Sequence, residues 1–168
     1  MGDSDSDHAG NLEAQNKRKS QNGAISTIDG APWWISKSTS VCFASPDIGE
    51  AHADTSSAAA EIFAAGNAAQ DIMGIKYMVE EMGMDFPTPF ILEMDNEAAR
   101  IFCSGNAQKT KLKHIYCRQH WVRTLRDKGI MKPAHVPTGE NLADLFTKIL
   151  PPVTFLRLRD LLLKPYCK

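Results

Sequence analysis

The longest regular pattern in the chain is helical. Seven positions spaced three or four residues apart lie on one face of a helix; they are 61, 65, 68, 72, 75, 79 and 82, occupied by Glu, Ala, Ala, Ile, Ile, Val and Met. Thr55 and the two serines after it can cap this helix, and Gly83 can end it. The pattern predicts a long helix from about residue 55 to 82 whose apolar face carries a single acid, Glu61.

Short β-prone stretches precede this helix. Residues 23–28 and 32–38 flank an Asp-Gly pair, which favours a tight hairpin turn and predicts two antiparallel strands. Trp33 and Trp34 are neighbours in the second strand, so their side chains point to opposite faces. We therefore expect one tryptophan in the core and the other on the surface.

Strands and helices alternate in the second half of the chain. Residues 90–95 predict a strand that ends at Asp95, and Asn96 can cap a short helix after it. A further helix is expected from about 112 to 127. Residues 130–137 contain a proline and fit an edge strand, because proline cannot donate to a central ladder. This alternation is typical of the α/β class.

The other segments lack clear periodicity or lie at the ends of the chain. Residues 1–22 are polar and are interpreted as an N-terminal segment leading into structure, and residues 40–55 as a surface loop. The body of the domain is expected to span residues 23–150. Residues 151–168 carry an amphipathic helix and tail, which we expect to pack on that body.

Composition indicates a single domain. A length of 168 residues with 43% hydrophobic content allows one substantial core. The net charge of −1 argues against a protein that coats nucleic acid or anionic membranes through an overall positive field. No apolar run approaches the roughly 18 residues of a membrane span, and the start does not resemble a signal peptide. The four cysteines form no C-x-x-C pair, so we expect reduced thiols and a cytoplasmic location without a membrane partner.

Three acids stand among apolar neighbours. Glu61 interrupts an apolar helix face, Asp95 ends a core strand, and Asp144 lies within Leu-Ala-Asp-Leu-Phe. An ionised carboxylate in such surroundings needs a partner or a cation. Each acid taken alone could also be a solvent-exposed residue at the end of its element, since acids are rarely fully buried. If the acids meet, their oxygen ligands favour magnesium or manganese over zinc.

A basic segment covers residues 109–132, where Asp127 is the one acid among eight lysines and arginines. In a nearly neutral protein such a segment is a candidate phosphate-binding track, although an ordinary solvated helix face has the same composition. The residues we expect to contact nucleic acid are Lys111, Lys113, His114, Arg118 and Arg123. A zinc site at His114 and His120 is not favoured, because six residues along a helix turn the two rings about 120° apart.

Six short motifs occur in a fixed order along the chain. They lie at residues 5–10 (D-S-D-H-A-G), 18–23 (R-K-S-Q-N-G), 56–62 (S-S-A-A-A-E-I), 94–99 (M-D-N-E-A-A), 110–115 (T-K-L-K-H-I) and 136–148 (V-P-T-G-E-N-L-A-D-L-F-T-K). They resemble the D-A-D-W-A-G, R-R-S-x-x-G, S-S-x-E-A-E-Y, C-D-N-x-S-A, T-K-H-I and V-P-T-x-x-x-x-A-D-x-F-T-K motifs of the ribonuclease H domain of copia-type LTR retrotransposon Pol polyproteins. Each motif alone is weak evidence, but six in order are specific.

This resemblance implies a ribonuclease H-like α/β fold, a mixed five-stranded sheet flanked by helices. It maps the catalytic and metal-binding carboxylates onto Asp5, Glu61, Asp95 and Asp144. The implied cofactor is a pair of Mg²⁺ ions, with Mn²⁺ as the alternative; two ions about 3.5 to 4 Å apart can activate water and stabilise the leaving oxygen of a phosphodiester. The implied substrate is an RNA–DNA hybrid, and the implied partner is the reverse transcriptase portion of the same polyprotein.

The chain departs from this family pattern near its start. Apolar residues of a central strand should precede Asp5, and only Met-Gly-Asp-Ser do, so we expect the first strand to be missing or incomplete. Ala59, Ile62 and His8 replace a Glu, a Tyr and a Trp of the motifs. The function implied is a metal-dependent endonuclease acting on the RNA strand of hybrids during reverse transcription. The alternatives are an inactive nucleic-acid-binding fragment and an integrase-like nuclease, which would not predict the A-D-x-F-T-K ending.

Overall fold

The computed structural model of the chain describes residues 1–11, 19–28, 31–39, 57–105 and 117–163. In chain order the elements are β1 (Gly2–Asn11), β2 (Lys19–Ile28), β3 (Ala31–Thr39), α1 (Ser57–Glu81), β4 (Phe90–Met94), α2 (Glu97–Cys103), α3 (Cys117–Asp127), β5 (Met131–His135), a 3-10 turn (Thr138–Glu140), α4 (Asp144–Thr147) and α5 (Pro152–Leu162). The five strands form one sheet in the order β3-β2-β1-β4-β5. Strands β1, β4 and β5 are parallel, and β2 is antiparallel to both of its neighbours. The predicted mixed five-stranded sheet is confirmed.

Strand β1 occupies the centre of the sheet although its sequence, GDSDSDHAGN, is polar. Residues 3–6 are at most 6% exposed. Sequence analysis interpreted residues 1–22 as a polar segment leading into structure and expected the first strand to be missing or incomplete. The strand is present, because backbone pairing with β2 on one side and β4 on the other holds polar residues in place. Its pairing with β4 is short, however, and joins only Gly2 to Leu92 and Asp3 to Glu93.

Strands β2 and β3 form the predicted hairpin, with Ile25 opposite Ile35. The turn predicted between them, residues 29–30, lies outside the described residues, as does the predicted loop at 40–55. The expectation that one tryptophan would be buried is wrong, because Trp33 is 51% and Trp34 46% exposed. Trp33 is the unpaired residue of a bulge between Pro32 and Trp34 on this edge strand, so the simple alternation of faces does not hold there.

Helix α1 packs over the central strands with most of the face that its spacing predicts, but Met82, the last position of that face, lies beyond the helix and is 55% exposed. Many of its buried residues are alanines, namely Ala60, Ala64, Ala65, Ala68 and Ala69. Such small side chains let the helix approach the sheet closely. A methyl group added at Gly2 of β1 would lie 2.5 Å from Cδ1 of Ile72, so the contact leaves no spare room. The helix then ends before Gly83, whose φ of +76° suits a glycine at a helix terminus.

The predicted strand and helices of the second half are also found. Asn96 caps α2, because its Oδ1 accepts a hydrogen bond from the Ala99 amide at 3.1 Å. Buried Phe90, Leu92 and Met94 point from β4 into the main core. Strand β5 contains its proline at the sheet edge, as expected. Helix α3 is described from Cys117 onward, so the earlier start predicted near residue 112 lies outside the described residues.

The last helix, α5, is less buried than expected. Leu158 is fully buried, but Phe155, Leu156 and Leu161 are 45%, 45% and 43% exposed. The expectation that its apolar residues pack on the body of the domain is therefore correct for one turn and wrong for most of the helix. Among the described residues, no helix has the length and hydrophobicity of a membrane-spanning segment.

Candidate metal centre

Three of the four acids predicted as ligands meet at one end of the sheet. Asp5 lies on β1, Asp95 directly follows the neighbouring strand β4, and Glu61 comes from the start of α1. One carboxylate oxygen from each residue lies within 4.8 Å of the other two. Parallel pairing of β1 with β4 brings the two aspartates together, because the register that joins Asp3 to Glu93 places Asp5 level with Asp95.

The Glu61 carboxyl is buried in a position that suits a cation ligand. The side chain is held on one side by the Ser6 amide, which donates to its Oε1 at 3.1 Å. Its Oε2 is buried and has no hydrogen-bond partner among the described residues. Burial, reinforced by the charges of Asp5 and Asp95, raises the pKa of Glu61 to about 9, against the opposing effects of Ser6 and Lys148. Since a bound divalent ion would pair with the free oxygen and offset the repulsion, the residues fit a hard metal ion.

The fourth predicted ligand, Asp144, is close to the site, but it forms an ion pair with Lys148. Asp144 is 4% exposed and begins α4. The Lys148 ammonium donates to Oδ1 of Asp144 at 2.8 Å and to Oδ1 of Asp5 at 2.9 Å. Thr147 donates its hydroxyl to the other oxygen of Asp5. The structure therefore joins Asp5 and Asp144 through a lysine, and Asp144 is not one of the three acids that share a common point.

Electrostatic effects differ between these partners. Burial raises the pKa of Asp144, and the charges of Asp5 and Asp95 add to this effect. The hydrogen bond from Lys148 opposes it, and the resulting pKa is about 6. Burial alone would lower the pKa of Lys148, but its hydrogen bonds to Asp144 and Asp5 outweigh burial and raise the pKa. The lysine is therefore held in its charged form between two carboxylates.

Two uncharged residues position α4 against the strands. Asn141 is fully buried; its side-chain amide donates to the Ser4 carbonyl at 3.1 Å, and its Oδ1 accepts from the Ala143 amide at 3.1 Å. Gly23 of β2 lies under α4, where an added Cβ would meet Cγ2 of Thr147 at 2.7 Å and the Ala143 carbonyl oxygen at 3.2 Å. The close approach of α4 to β1 and β2 therefore depends on a glycine and a buried amide.

A further buried acid, Asp3, lies two residues before Asp5 on the same side of β1. It is 1% exposed, and its Oδ2 has no hydrogen-bond partner among the described residues. Burial raises the pKa of Asp3. The charge of neighbouring Glu93 and a hydrogen bond with its side chain add to this effect, and the resulting pKa is about 8. The raised pKa favours the protonated form of the Asp3 carboxyl.

The predicted nucleic-acid contacts are only partly described. Lys111, Lys113 and His114, together with the side chain of Arg118, lie outside the described residues. Arg123 is described, and its guanidinium is engaged inside the domain. Its Nε donates to the Phe102 carbonyl at 2.7 Å, and the guanidinium carbon lies 3.8 Å from the centre of the Phe102 ring. Arg123 therefore joins α3 to the end of α2, and its contact with nucleic acid stays a prediction.

Sequence analysis gave no role to Lys148, Thr147, Asn141 or Asp3. The first three lie inside the V-P-T-G-E-N-L-A-D-L-F-T-K motif, and Lys148 follows Asp144 by four residues. That spacing places two side chains on the same side of a helix, and it was the available signal for their ion pair. Asp3 carried no comparable signal, because the segment around it was interpreted as polar and irregular.

No protein-family model matches the chain. Its sequence is 29% identical over 151 residues, 89% of the chain, to the retrovirus-related Pol polyprotein from transposon TNT 1-94 of Nicotiana tabacum. It is 30% identical over 100 residues, 60% of the chain, to the corresponding polyprotein from transposon RE2 of Arabidopsis thaliana. The chain spans 10% and 7% of the lengths of these two relatives.

Solved structures give the fold. The ribonuclease H1 named LC11, isolated from compost, superposes with a TM-score of 0.59 at 16% identity, covering 87% of this chain and 90% of that one. The N-terminal ribonuclease H domain of a Mycobacterium tuberculosis protein gives 0.56 at 18% identity, with 95% and 94% coverage. The chain has the ribonuclease H fold. The six motifs indicated a similarity to retrotransposon Pol polyproteins, and these relatives confirm it.

Proposed function

We propose that the chain is a metal-dependent endonuclease that hydrolyses the RNA strand of RNA–DNA hybrids during retrotransposon reverse transcription. The observation that carries this proposal is the meeting of Asp5, Glu61 and Asp95 within 4.8 Å, with a buried and unpartnered oxygen on Glu61. Three separate elements of the fold supply these acids, and a merely structural role does not explain why they converge. Their oxygen atoms favour Mg²⁺ or Mn²⁺.

Each residue of the centre has a part in this proposal. Asp5 and Asp95 would hold the ion from adjacent strands, and Glu61 would join them, since the Ser6 amide engages its Oε1 and leaves Oε2 available as a ligand. When bound, the metal would supply an activated water and charge stabilisation for phosphodiester hydrolysis. Burial of the acids keeps bulk water from screening their negative charges, which strengthens their attraction for a divalent cation.

Several features of the proposal concern partners. The basic segment at 109–132 would hold the hybrid through phosphates, with strand choice set by the 2′-hydroxyls of the RNA. The reverse transcriptase portion of the same polyprotein would deliver the hybrid, in the cytoplasm. The rival function is a binding fragment without catalysis, which the short pairing of β1 with β4 favours, since that pairing holds the strand bearing Asp5.

A cleavage assay tests the proposal. The purified chain is incubated with a hybrid labelled separately on each strand, in Mg²⁺ and in EDTA. We expect cuts in the RNA strand alone, dependent on metal, and a loss of at least about a hundredfold for Asp95→Asn, because even outer-shell partners of metals contribute 10- to 100-fold. Asp160→Asn is the matched control, since that acid is exposed on α5 and pairs with Arg159.

The outcomes separate the two functions. Hybrid binding without cleavage, in a folded chain, would establish the binding fragment and overturn the proposed nuclease. Cleavage that survives Asp95→Asn would show that the chemistry takes place at other residues.

A further inference from the structure

The Lys148 side chain lies where an ion shared by Asp5 and Asp144 would have to bind. Its ammonium contacts one oxygen of each acid, at 2.9 Å and 2.8 Å. The lysine side chain is 30% exposed, whereas those of Asp5 and Asp144 are 0% and 5% exposed. The Lys148 side chain is therefore partly open to solvent, whereas the two carboxylates are enclosed.

The backbone of α4 fixes this lysine in place. Lys148 directly follows α4 as its C-cap residue, and its own amide donates to the Asp144 carbonyl at 3.1 Å. Both the backbone and the side chain of Lys148 are thus tied to Asp144. Gly23 and Asn141 in turn position α4 against the sheet. The ammonium is a fixed part of the site, and it is not a surface lysine that happens to lie nearby.

The acids divide into two sets around this lysine. Asp5, Glu61 and Asp95 share a point that all three can reach, and Asp144 is absent from that group. Asp5 belongs to both sets, since one of its oxygens accepts from Lys148 and the other from Thr147. A carboxylate has about four lone-pair sites, so Asp5 can still ligate an ion while accepting both hydrogen bonds.

The charges support a single ion. With all four carboxylates ionised and Lys148 protonated, the centre carries a formal charge of −3, which one divalent ion reduces to −1. A second divalent ion would have to displace the ammonium or remain beside it. A divalent ion and an ammonium a few ångströms apart would repel each other strongly in this buried surrounding.

We propose that the Lys148 ammonium takes the place of a second metal ion, so that the chain binds one divalent ion at Asp5, Glu61 and Asp95. This inference rests on the proposed function, because it assumes that the same carboxylates hold the metal. Asp144 then contributes by holding Lys148 and has no direct contact with the ion. In this arrangement Lys148 supplies positive charge on the side of the centre that faces α4.

Counting bound Mn²⁺ tests the proposal without any activity measurement. The full chain, free of nucleic acid, is titrated with Mn²⁺, and the free ion is followed by electron paramagnetic resonance. We expect one tight site in the wild type. Lys148→Met, which keeps the length of the side chain and removes its charge, should bind a second ion or bind the first at least about tenfold more tightly, because the repulsion is gone. Lys148→Arg should retain a single site.

A matched control is available on α1. Lys76 also pairs with an acid four residues away, Glu80, and it lies 15 residues beyond Glu61 on a continuous helix, or about 22 Å. Lys76→Met should leave the number and affinity of bound ions unchanged. Circular dichroism of every variant establishes that it is folded before titration.

The outcomes distinguish the proposed role of Lys148 from the proposed nuclease function. Two Mn²⁺ ions of similar affinity in the wild type would overturn the role of Lys148 and leave the proposed nuclease standing. The same holds if folded Lys148→Met binds Mn²⁺ no differently from the wild type. Should Lys148→Met fail to fold, the same titration of Lys148→Gln decides the question, because that variant also removes the charge. Absence of any Mn²⁺ binding to the wild type would overturn both this proposal and the metal centre on which the proposed function depends.

Discussion

Replacing Glu61 by glutamine should make the metal-free protein more stable, even though it removes a predicted ligand. In the folded chain, burial beside Asp5 and Asp95 raises the pKa of this carboxyl to about 9. In the unfolded chain the pKa returns to its ordinary value near 4.5. Between these two values folding must take up a proton, so stability falls as pH rises. Glutamine has the same shape as the protonated acid and does not titrate.

The size of the effect follows from the two pKa values. The contribution of the Glu61 carboxyl to the free energy of unfolding is fully present below about pH 4.5. It is lost as the pH rises towards about 9, at 1.36 kcal/mol per pH unit. At pH 7.5 the loss amounts to about 4 kcal/mol, an upper bound because nearby carboxyls share the proton. With about 2 to 4 °C per kcal/mol for a domain of this size, Glu61→Gln should melt at least about 5 °C higher in EDTA.

Thermal unfolding in EDTA between pH 5 and 9 measures this directly. The two proteins should melt together near pH 5 and diverge as the pH rises. Saturating Mn²⁺ should narrow or reverse the difference in melting temperature between the two proteins. An ion at 100 times its Kd stabilises the wild type by about 2.7 kcal/mol, and it binds the variant more weakly. Glu81→Gln, on the exposed end of the same helix, is the control and should change stability by less than about 0.5 kcal/mol. A Glu61→Gln protein that melts no higher than the wild type at pH 8, or by an amount independent of pH, would refute this reasoning.

Two further substitutions test how α4 is held. Gly23→Ala should destabilise the fold by about 1 to 3 kcal/mol, because the added Cβ meets Thr147 at 2.7 Å. Gly74→Ala, at an exposed position of α1 where no atom lies within 4 Å of the added Cβ, should instead stabilise the fold by about 0.5 to 1 kcal/mol. Urea unfolding measures both changes. An equal effect of the two alanines would contradict the close packing at the first glycine. Asn141→Ala leaves the buried Ser4 carbonyl without its donor and should lower stability by about 2 to 3 kcal/mol and weaken Mn²⁺ binding. Unchanged urea unfolding would show that this amide does not hold α4 in place.

Much of the fold could be predicted from local patterns. The spacing of α1, the Asp-Gly hairpin signal, the Asn96 cap and the proline of β5 each correspond to an element of the structure. These signals work because capping, turn formation and helix amphipathicity depend on residues close together in sequence. The three acids of the metal centre were found as exceptions to such patterns and through the family motifs.

Strand β1 could not be predicted in the same way. Its residues, including buried Asp3 and Asp5, have neither the alternation nor the β-branched side chains that indicate a strand. What buries them is long-range: β2 and β4 on either side, Asn141 from 137 residues away, and Lys148 from 143 residues away. The exposure of both tryptophans on β3 likewise depends on a bulge in an edge strand, which residue spacing does not encode.

The start of the chain lies inside the sheet, and this affects how the protein can be handled. The Met1 ammonium donates to the Thr27 carbonyl at 2.9 Å, and the Met1 carbonyl accepts from the Thr27 amide at 2.7 Å. The register that joins Gly2 to Leu92 puts Met1 level with Ile91, so a tag joined ahead of Met1 would leave the sheet near the start of β4, close to Asp5. A purification tag therefore belongs at the other end of the chain, and an apolar extension at this end would lengthen the central strand.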